Sequence, residues 1–148
     1  EERAWNIPAD RMKAGRPHRV PLSDRAMNIL KRMAELRRRP EDDALVFEGK
    51  PGRAYSDMTL TQPLRRAGLQ ITMHGFRSTF RDWAAEATSF PRELAEKALA
   101  HTLQSRVEQA YQRGDLFDKR RKLMDAWAGY VAGDKGNVVN MSKRRRHA

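Results

Sequence analysis

Residues 74–83 read HGFRSTFRDW, and their spacing is that of one helix with two unlike faces. At about 100° per residue, Phe76, Phe80, Trp83 and Ala87 fall on one side while His74, Arg77 and Arg81 share the other. The apolar side predicts burial against neighbouring helices. The basic side holds an imidazole and a guanidinium on rigid backbone, aimed the same way. Thr72 is placed to cap the start, which sets the helix from about Gly75 to Ala87. Spacing alone leaves two readings open, a solvated basic face or a site for one anionic ligand.

Working toward the C-terminus, Phe90-Pro91 opens a short helix through Leu99, with proline near its first turn where a missing N–H is harmless. His101 then falls in a turn, and a further helix is expected from about Ser105 to Arg113, with Tyr111 inside it or at its end. By position alone His101 fits a helix C-terminal cap, and Tyr111 a half-buried packing residue. Asp115 is expected to cap a last helix, whose apolar stripe is Leu116, Leu123, Met124, Trp127, Tyr130 and Val131. Beyond it GDKGNVVNMSKRRRHA loses periodicity, so residues 133–148 read as a flexible basic tail behind a domain spanning 1–132.

Toward the N-terminus, Gly68 ends a helix that lies between Ser56 and Ala67 and begins near Gln62, because Pro63 is poorly placed deeper inside. Ala44-Leu45-Val46-Phe47 reads as a short buried strand or extended piece, followed by a GKPGR loop. Ser23 caps a helix in which Ala26, Ile29, Leu30, Met33 and Leu36 recur at helical spacing, with Pro40 after its end. Before that, Trp5 and Ile7, then Arg19-Val20-Pro21-Leu22, flank the turn-rich MKAGRPH as a β-hairpin. The fold expected is mainly α with a small antiparallel β-hairpin or sheet. A lone hairpin is marginal in water, so further sheet and helix are expected on its N-terminal side.

Composition narrows the partner. Lys and Arg number 30 against 19 Asp and Glu, for a net charge of +11. The excess is spread through the chain, with 15 basic and 10 acidic residues in 1–74 and 15 and 9 in 75–148. At 39% hydrophobic the chain is too apolar to be disordered, and distributed Lys and Arg are what a nucleic-acid backbone rewards through counterion release. No run approaches the about 18 apolar residues of a spanning helix, and EERAWNIPAD has neither the basic start nor the apolar run of a secretory signal. Zero cysteines exclude disulfide, thiol and cysteine-zinc chemistry. A cytoplasmic protein with an anionic partner, and no membrane, is expected.

Taken in order, MKAGRPHRVPLS, HGFRSTFRDW, LAH and AY resemble the tyrosine recombinase, or phage integrase, family. They are most similar to prophage and genomic-island integrases. A bare H-x-x-R means little, but four motifs in the right order, within a resemblance from Trp5 to Val131, are specific. The resemblance implies a tyrosine-recombinase catalytic domain truncated at its N-terminal side. It makes Tyr111 the nucleophile, Arg77 the second arginine of the catalytic set, His74 the histidine of H-x-x-R, His101 the histidine before the tyrosine and Lys13 the hairpin lysine. Arg16, His18, Arg19 and Arg81 are the expected DNA contacts. Three departures stand out. The family's first catalytic arginine has no counterpart in Glu1 to Trp5, the N-terminal DNA-binding modules are absent, and the step from His101 to Tyr111 is one longer than in many relatives.

The implied reaction is transesterification at a DNA phosphodiester: a phenolate attacks phosphorus, leaving a 3′-phosphotyrosyl bond and a 5′-hydroxyl. Arg77 and His101 meet the charge on the non-bridging oxygens, His74 accepts the phenolic proton, and Lys13 protonates the leaving oxygen. No cofactor and no metal is implied, and no cluster of Asp or Glu stands near these motifs to suggest a two-metal nuclease. The partners implied are duplex DNA attachment sites and, on DNA, a homo-tetramer, with the last helix packing either in trans or on its own core. A type IB topoisomerase shares this chemistry. A basic DNA-binding module without catalysis is the reading from a different class, and without the first arginine the 148 residues alone are expected to bind DNA weakly and cleave it poorly.

Overall fold

A computed structural model of the chain describes residues 2–37, 41, 44–56, 58–101 and 114–134. Strands β1 (Ala4–Ile7) and β2 (His18–Pro21) pair antiparallel, with Trp5 opposite Val20 and Asn6 opposite Arg19. The expected hairpin is there, and its connection turns at Gly15, whose φ of +62° suits a residue with no Cβ. Helix α1 (Asp24–Glu35) starts where Ser23 Oγ accepts the Ala26 N–H at 3.3 Å, the cap its sequence predicts.

The stretch 44–47 corrects the sequence reading. It is not a buried strand: Leu45, Val46 and Phe47 are 39%, 40% and 47% exposed. An apolar run is buried only where other elements cover it, and β3 begins one residue later. Strands β3 (Glu48–Lys50) and β4 (Arg53–Ala54) turn the expected GKPGR loop into a second small hairpin. The Tyr55 ring lies so close over Gly49 that a Cβ there would meet Cδ1 at 3.0 Å. Helix α2 (Thr61–Arg66) carries Pro63 in its first turn and ends before Gly68, as its composition predicts. Neither α1 nor α2 buries a side chain.

The core is built by the second half. Helices α3 (Gly75–Glu86), α4 (Arg92–Ala98) and α5 (Phe117–Ala132) meet around Phe80, Trp83, Ala84, Leu94, Ala95 and Leu123. Thr72 Oγ1 accepts the Gly75 N–H at 3.1 Å, so the cap expected for α3 holds its first turn. Phe80 meets Trp127 edge-on at 5.4 Å, and Trp83 lies 5.0 Å from the same ring, a geometry that adds to simple area burial. Helix α5 also packs on β2, so it closes the core of its own chain. Among the described residues the architecture is mainly helical with two small antiparallel hairpins. No helix among the described residues is long and apolar enough to cross a membrane.

Two expected apolar stripes need trimming. Phe76 is 45% exposed because it stands one turn before Phe80, ahead of the part of α3 that its neighbours cover. At the end of α5, Tyr130 keeps a ring contact with Trp127 at 5.5 Å while Val131 faces outward. The stripe gains Phe117 instead, and the polar Arg120 is buried with it. The N-cap is Leu116, one residue later than expected, and Asp115 serves the helix start from just before it, its Oδ1 accepting the Phe117 N–H at 3.1 Å. The helix expected from Ser105 to Arg113 and the tail from Lys135 onward lie outside the described residues.

Leu123 is fully enclosed, so Leu123→Ala is expected to cost about 2–5 kcal/mol in urea unfolding. Val131→Ala, on the same helix but exposed, is expected to stay within about 0.5 kcal/mol.

Candidate active site

The site forms where the first turns of α3 meet the end of α4. Helix α4 stops through backbone geometry rather than through glycine. Ala100 takes the left-handed conformation, φ +54°, its N–H donates to Lys97 O at 3.1 Å, and the His101 N–H reaches back to Glu96 O at 2.9 Å. This pair of bonds is the Schellman closure of a helix, and it fixes the backbone from which the His101 ring projects.

The side chains then connect in series. Arg77 Nη2 donates to Leu99 O at 2.5 Å and lies 3.1 Å from His101 Nε2. On the far side of the ring, Nδ1 sits 2.6 Å from Glu96 Oε2. Glu96 Oε1 takes the Arg81 Nε at 2.8 Å, with Arg92 Nε at 3.6 Å. Glu96 is only 9% exposed. Burial alone would raise its carboxyl, but the hydrogen bonds from His101 and Arg81 outweigh that and hold it below the usual carboxylate range.

Beside this series lies the first hairpin. His18 is half-buried against the Ala98 backbone. Burial pulls its imidazole below the ordinary 6.5, and the charge of Arg120 pulls it further. Arg19 reaches Asp115 at 3.3 Å, pairs with Glu2, and stacks over the Phe117 ring at 4.1 Å. Lys97 Nζ donates to Gly114 O at 2.6 Å, and burial lowers its ammonium from the ordinary 10.5. Cations thus crowd one side of the fold, with Glu96 and Asp115 holding several of them in place.

The sequence-predicted residues therefore divide. Arg77 and His101 are brought together, with His18 close by. Arg81, an expected DNA contact, pairs with Glu96. His74 is exposed just before α3, and Lys13 and Arg16 are exposed on the hairpin connection. Among the described residues these three side chains make no hydrogen bond or ion pair. Tyr111 lies outside the described residues. Among the described residues no three His, Asp or Glu gather to hold a metal ion. What the sequence did not disclose is Glu96, because an acid inside LAEKAL reads as solvent-facing. Its one signal is its place five residues before His101, where a Schellman closure returns the chain.

The model of a family described as the phage integrase family matches residues 1–116, a stretch that includes Lys13, His74, Arg77, His101 and Tyr111. The chain belongs to the phage integrase family. Among curated relatives, prophage integrase IntA of Escherichia coli (strain K12) is 40% identical over 148 residues, covering 95% of this chain and 35% of that protein. The integrase of Enterobacteria phage P4 is 28% identical over 156 residues, covering 93% and 35%. Prophage integrase IntZ of the same Escherichia coli strain is 30% identical over 134 residues, covering 88% and 32%. The chain thus spans about a third of the length of these integrases. No solved structure matches the chain at a significant level.

Two outcomes follow from the α4 terminus. A non-glycine residue in the left-handed region costs about 1 kcal/mol or more, so Ala100→Gly is expected to raise stability by about 0.5–1 kcal/mol in urea unfolding. Glu96 is ionised in folded and unfolded chains above the ordinary carboxylate range, so its stabilisation is complete there. That stabilisation is lost as pH falls through its depressed folded value. Thermal melts are expected to show a wild-type advantage over Glu96→Gln at neutral pH that disappears in acid.

Proposed function

We propose that the full-length protein breaks and rejoins duplex DNA at specific sites, through a covalent 3′-phosphotyrosyl intermediate, to integrate or excise a mobile element. The observation that carries this reading is the Arg77–His101 pair, 3.1 Å apart on the ends of two packed helices, in a chain of the phage integrase family. A guanidinium and an imidazole so placed can hydrogen-bond the non-bridging oxygens of one phosphodiester, where negative charge grows in the pentacovalent transition state.

In this mechanism the Tyr111 oxygen attacks phosphorus, the P–O5′ bond breaks, and the 3′ side stays attached to the enzyme. A phenol has an ordinary pKa of about 10, so attack near neutrality needs a base and a positive site. His74 takes the phenolic proton and Lys13 gives one to the departing 5′-oxygen. The phosphodiester's energy is conserved in the tyrosyl ester, so a 5′-hydroxyl from a partner strand reverses the step without nucleotide, metal or cofactor. Lys13 stands exposed on the hairpin connection, which suits a residue that closes onto DNA when DNA arrives.

Arg16 shares that connection and suits a phosphate contact. His18, Arg19 and Arg81 are proposed to line the DNA-facing side while keeping their internal partners. Both arginine side chains remain more than a third exposed. We propose further that the protein assembles as a tetramer on paired sites in the cytoplasm, where its DNA substrate lies.

The test is a nicked suicide substrate carrying the attachment site, incubated with the full-length protein in EDTA. A covalent protein–DNA adduct is expected, absent in Tyr111→Phe and formed about 10²–10³-fold more slowly in Arg77→Ala. An adduct that survives Tyr111→Phe, or cleavage that needs added magnesium, would overturn the proposal. DNA binding with no adduct under any condition would support a non-catalytic DNA-binding module instead.

A further inference from the structure

We infer that Glu96 is a positioning residue that sets which nitrogen of His101 faces the scissile phosphate. The inference rests on the proposed function for the identity of the phosphate, but its core concerns the ring alone. An ionised carboxylate only accepts hydrogen bonds. With Glu96 Oε2 2.6 Å from Nδ1, the ring proton of His101 must sit on Nδ1. Nε2 is then the nitrogen turned toward Arg77 Nη2 at 3.1 Å, and it is aimed where that guanidinium aims.

Three further features make the arrangement a built one. Glu96 is 9% exposed, so water does not compete for its oxygens. Its other oxygen is held by Arg81 of α3 at 2.8 Å, so the carboxylate is braced from a different helix. The same residue receives the His101 backbone N–H on its carbonyl at 2.9 Å, so Glu96 holds His101 by main chain and side chain together. A ring gripped at Nδ1 and at its own backbone has little freedom to flip. Its partner at one nitrogen decides the role of the other. When Nε2 donates to a phosphate oxygen the ring carries a second proton, and the adjacent carboxylate offsets that charge. Arg77 keeps its bond to Leu99 O, and the donor it now directs at Nε2 turns to the phosphate.

A purely structural cross-link between α3 and α4 would need the Arg81–Glu96 pair but not the His101 bond. Two variants separate these roles. Glu96→Gln retains an acceptor for Nδ1–H at nearly the same shape. Glu96→Met retains the volume and removes the acceptor. In the full-length protein, ¹⁵N-histidine NMR reads the tautomer, with the His101 signal assigned by its loss in His101→Gln. Wild type and Glu96→Gln are expected to hold the proton on Nδ1, and Glu96→Met to move toward Nε2–H. In single-turnover cleavage Glu96→Met is expected to lose about 10–100-fold in rate at unchanged DNA affinity, with Glu96→Gln restoring most of it.

A wild-type His101 protonated on Nε2 alone overturns the inference before any variant folds. So does a Glu96→Met protein with wild-type tautomer and wild-type cleavage, or a loss shared equally by both variants and tracking their melting temperatures. The tautomer needs no DNA to be read. An Nδ1–H ring that Glu96→Met disturbs, in a protein that forms no Tyr111 adduct, would sink the recombinase reading and leave the positioning role standing.

Discussion

One buried guanidinium holds the two ends of the described fold together. Arg120 is 1% exposed, and its Nη1 donates to Arg19 O at 2.6 Å while its Nε donates to Asp115 O at 2.7 Å. The Asp115 carboxylate, 3.3 Å from Nη2, supplies the countercharge. Burial pulls the guanidinium below its ordinary value, and Asp115 opposes that pull. A charge taken out of water is tolerable only when every donor finds a partner, and removing one partner of such a set costs about 3–5 kcal/mol. Arg120 therefore fixes how α5 lies against β2. The position of α5 closes the core with Leu123, and that core is the floor under α3 and α4. Arg77 and His101 stand where they do because this floor is in place.

The same economy of acids governs the site. The surface is rich in arginine, and like charges at short range repel. Two carboxylates sort them. Glu96 gathers Arg81, Arg92 and His101 at the end of α4, and Asp115 gathers Arg19 and Arg120 at the start of α5. Arg77 takes no carboxylate among the described residues and bonds instead to the Leu99 carbonyl and the His101 ring. Among the described residues its charge therefore faces no carboxylate, which suits the phosphate contact proposed above.

Much of this was legible in the sequence, and the reasons are local ones. The first hairpin was readable because its turn chemistry sits at Gly15 and Pro17, and α1 because Ser23 is a cap whose action needs only the next three residues. Helices α3 and α5 showed their periodicity, α4 its opening proline, and Arg77 and His101 were named by motif. What failed was whatever depends on a distant neighbour. Leu45 to Phe47 have the composition of a core strand, but among the described residues they are only partly covered. Phe76 has the right phase on α3 but sits beyond the helices that cover Phe80. Arg120 and Glu96 are charged residues on helices, and nothing in their local sequence says that a carbonyl 101 positions away, or an imidazole after a left-handed alanine, waits to receive them.

The separation of 101 residues between Arg120 and Arg19 has a kinetic meaning. Helices α3 and α4 are neighbours in sequence and meet after a short link, a local event of low entropic cost. Joining α5 to β2 closes a loop of most of the described chain, and long-range closure of this kind slows folding. Within this stretch the hairpin leaves the ribosome before its partner helix. Until α5 follows, β2 lacks its packing partner, and α3 and α4 have no floor. The Arg77–His101 pair thus gains its support only once translation has passed α5.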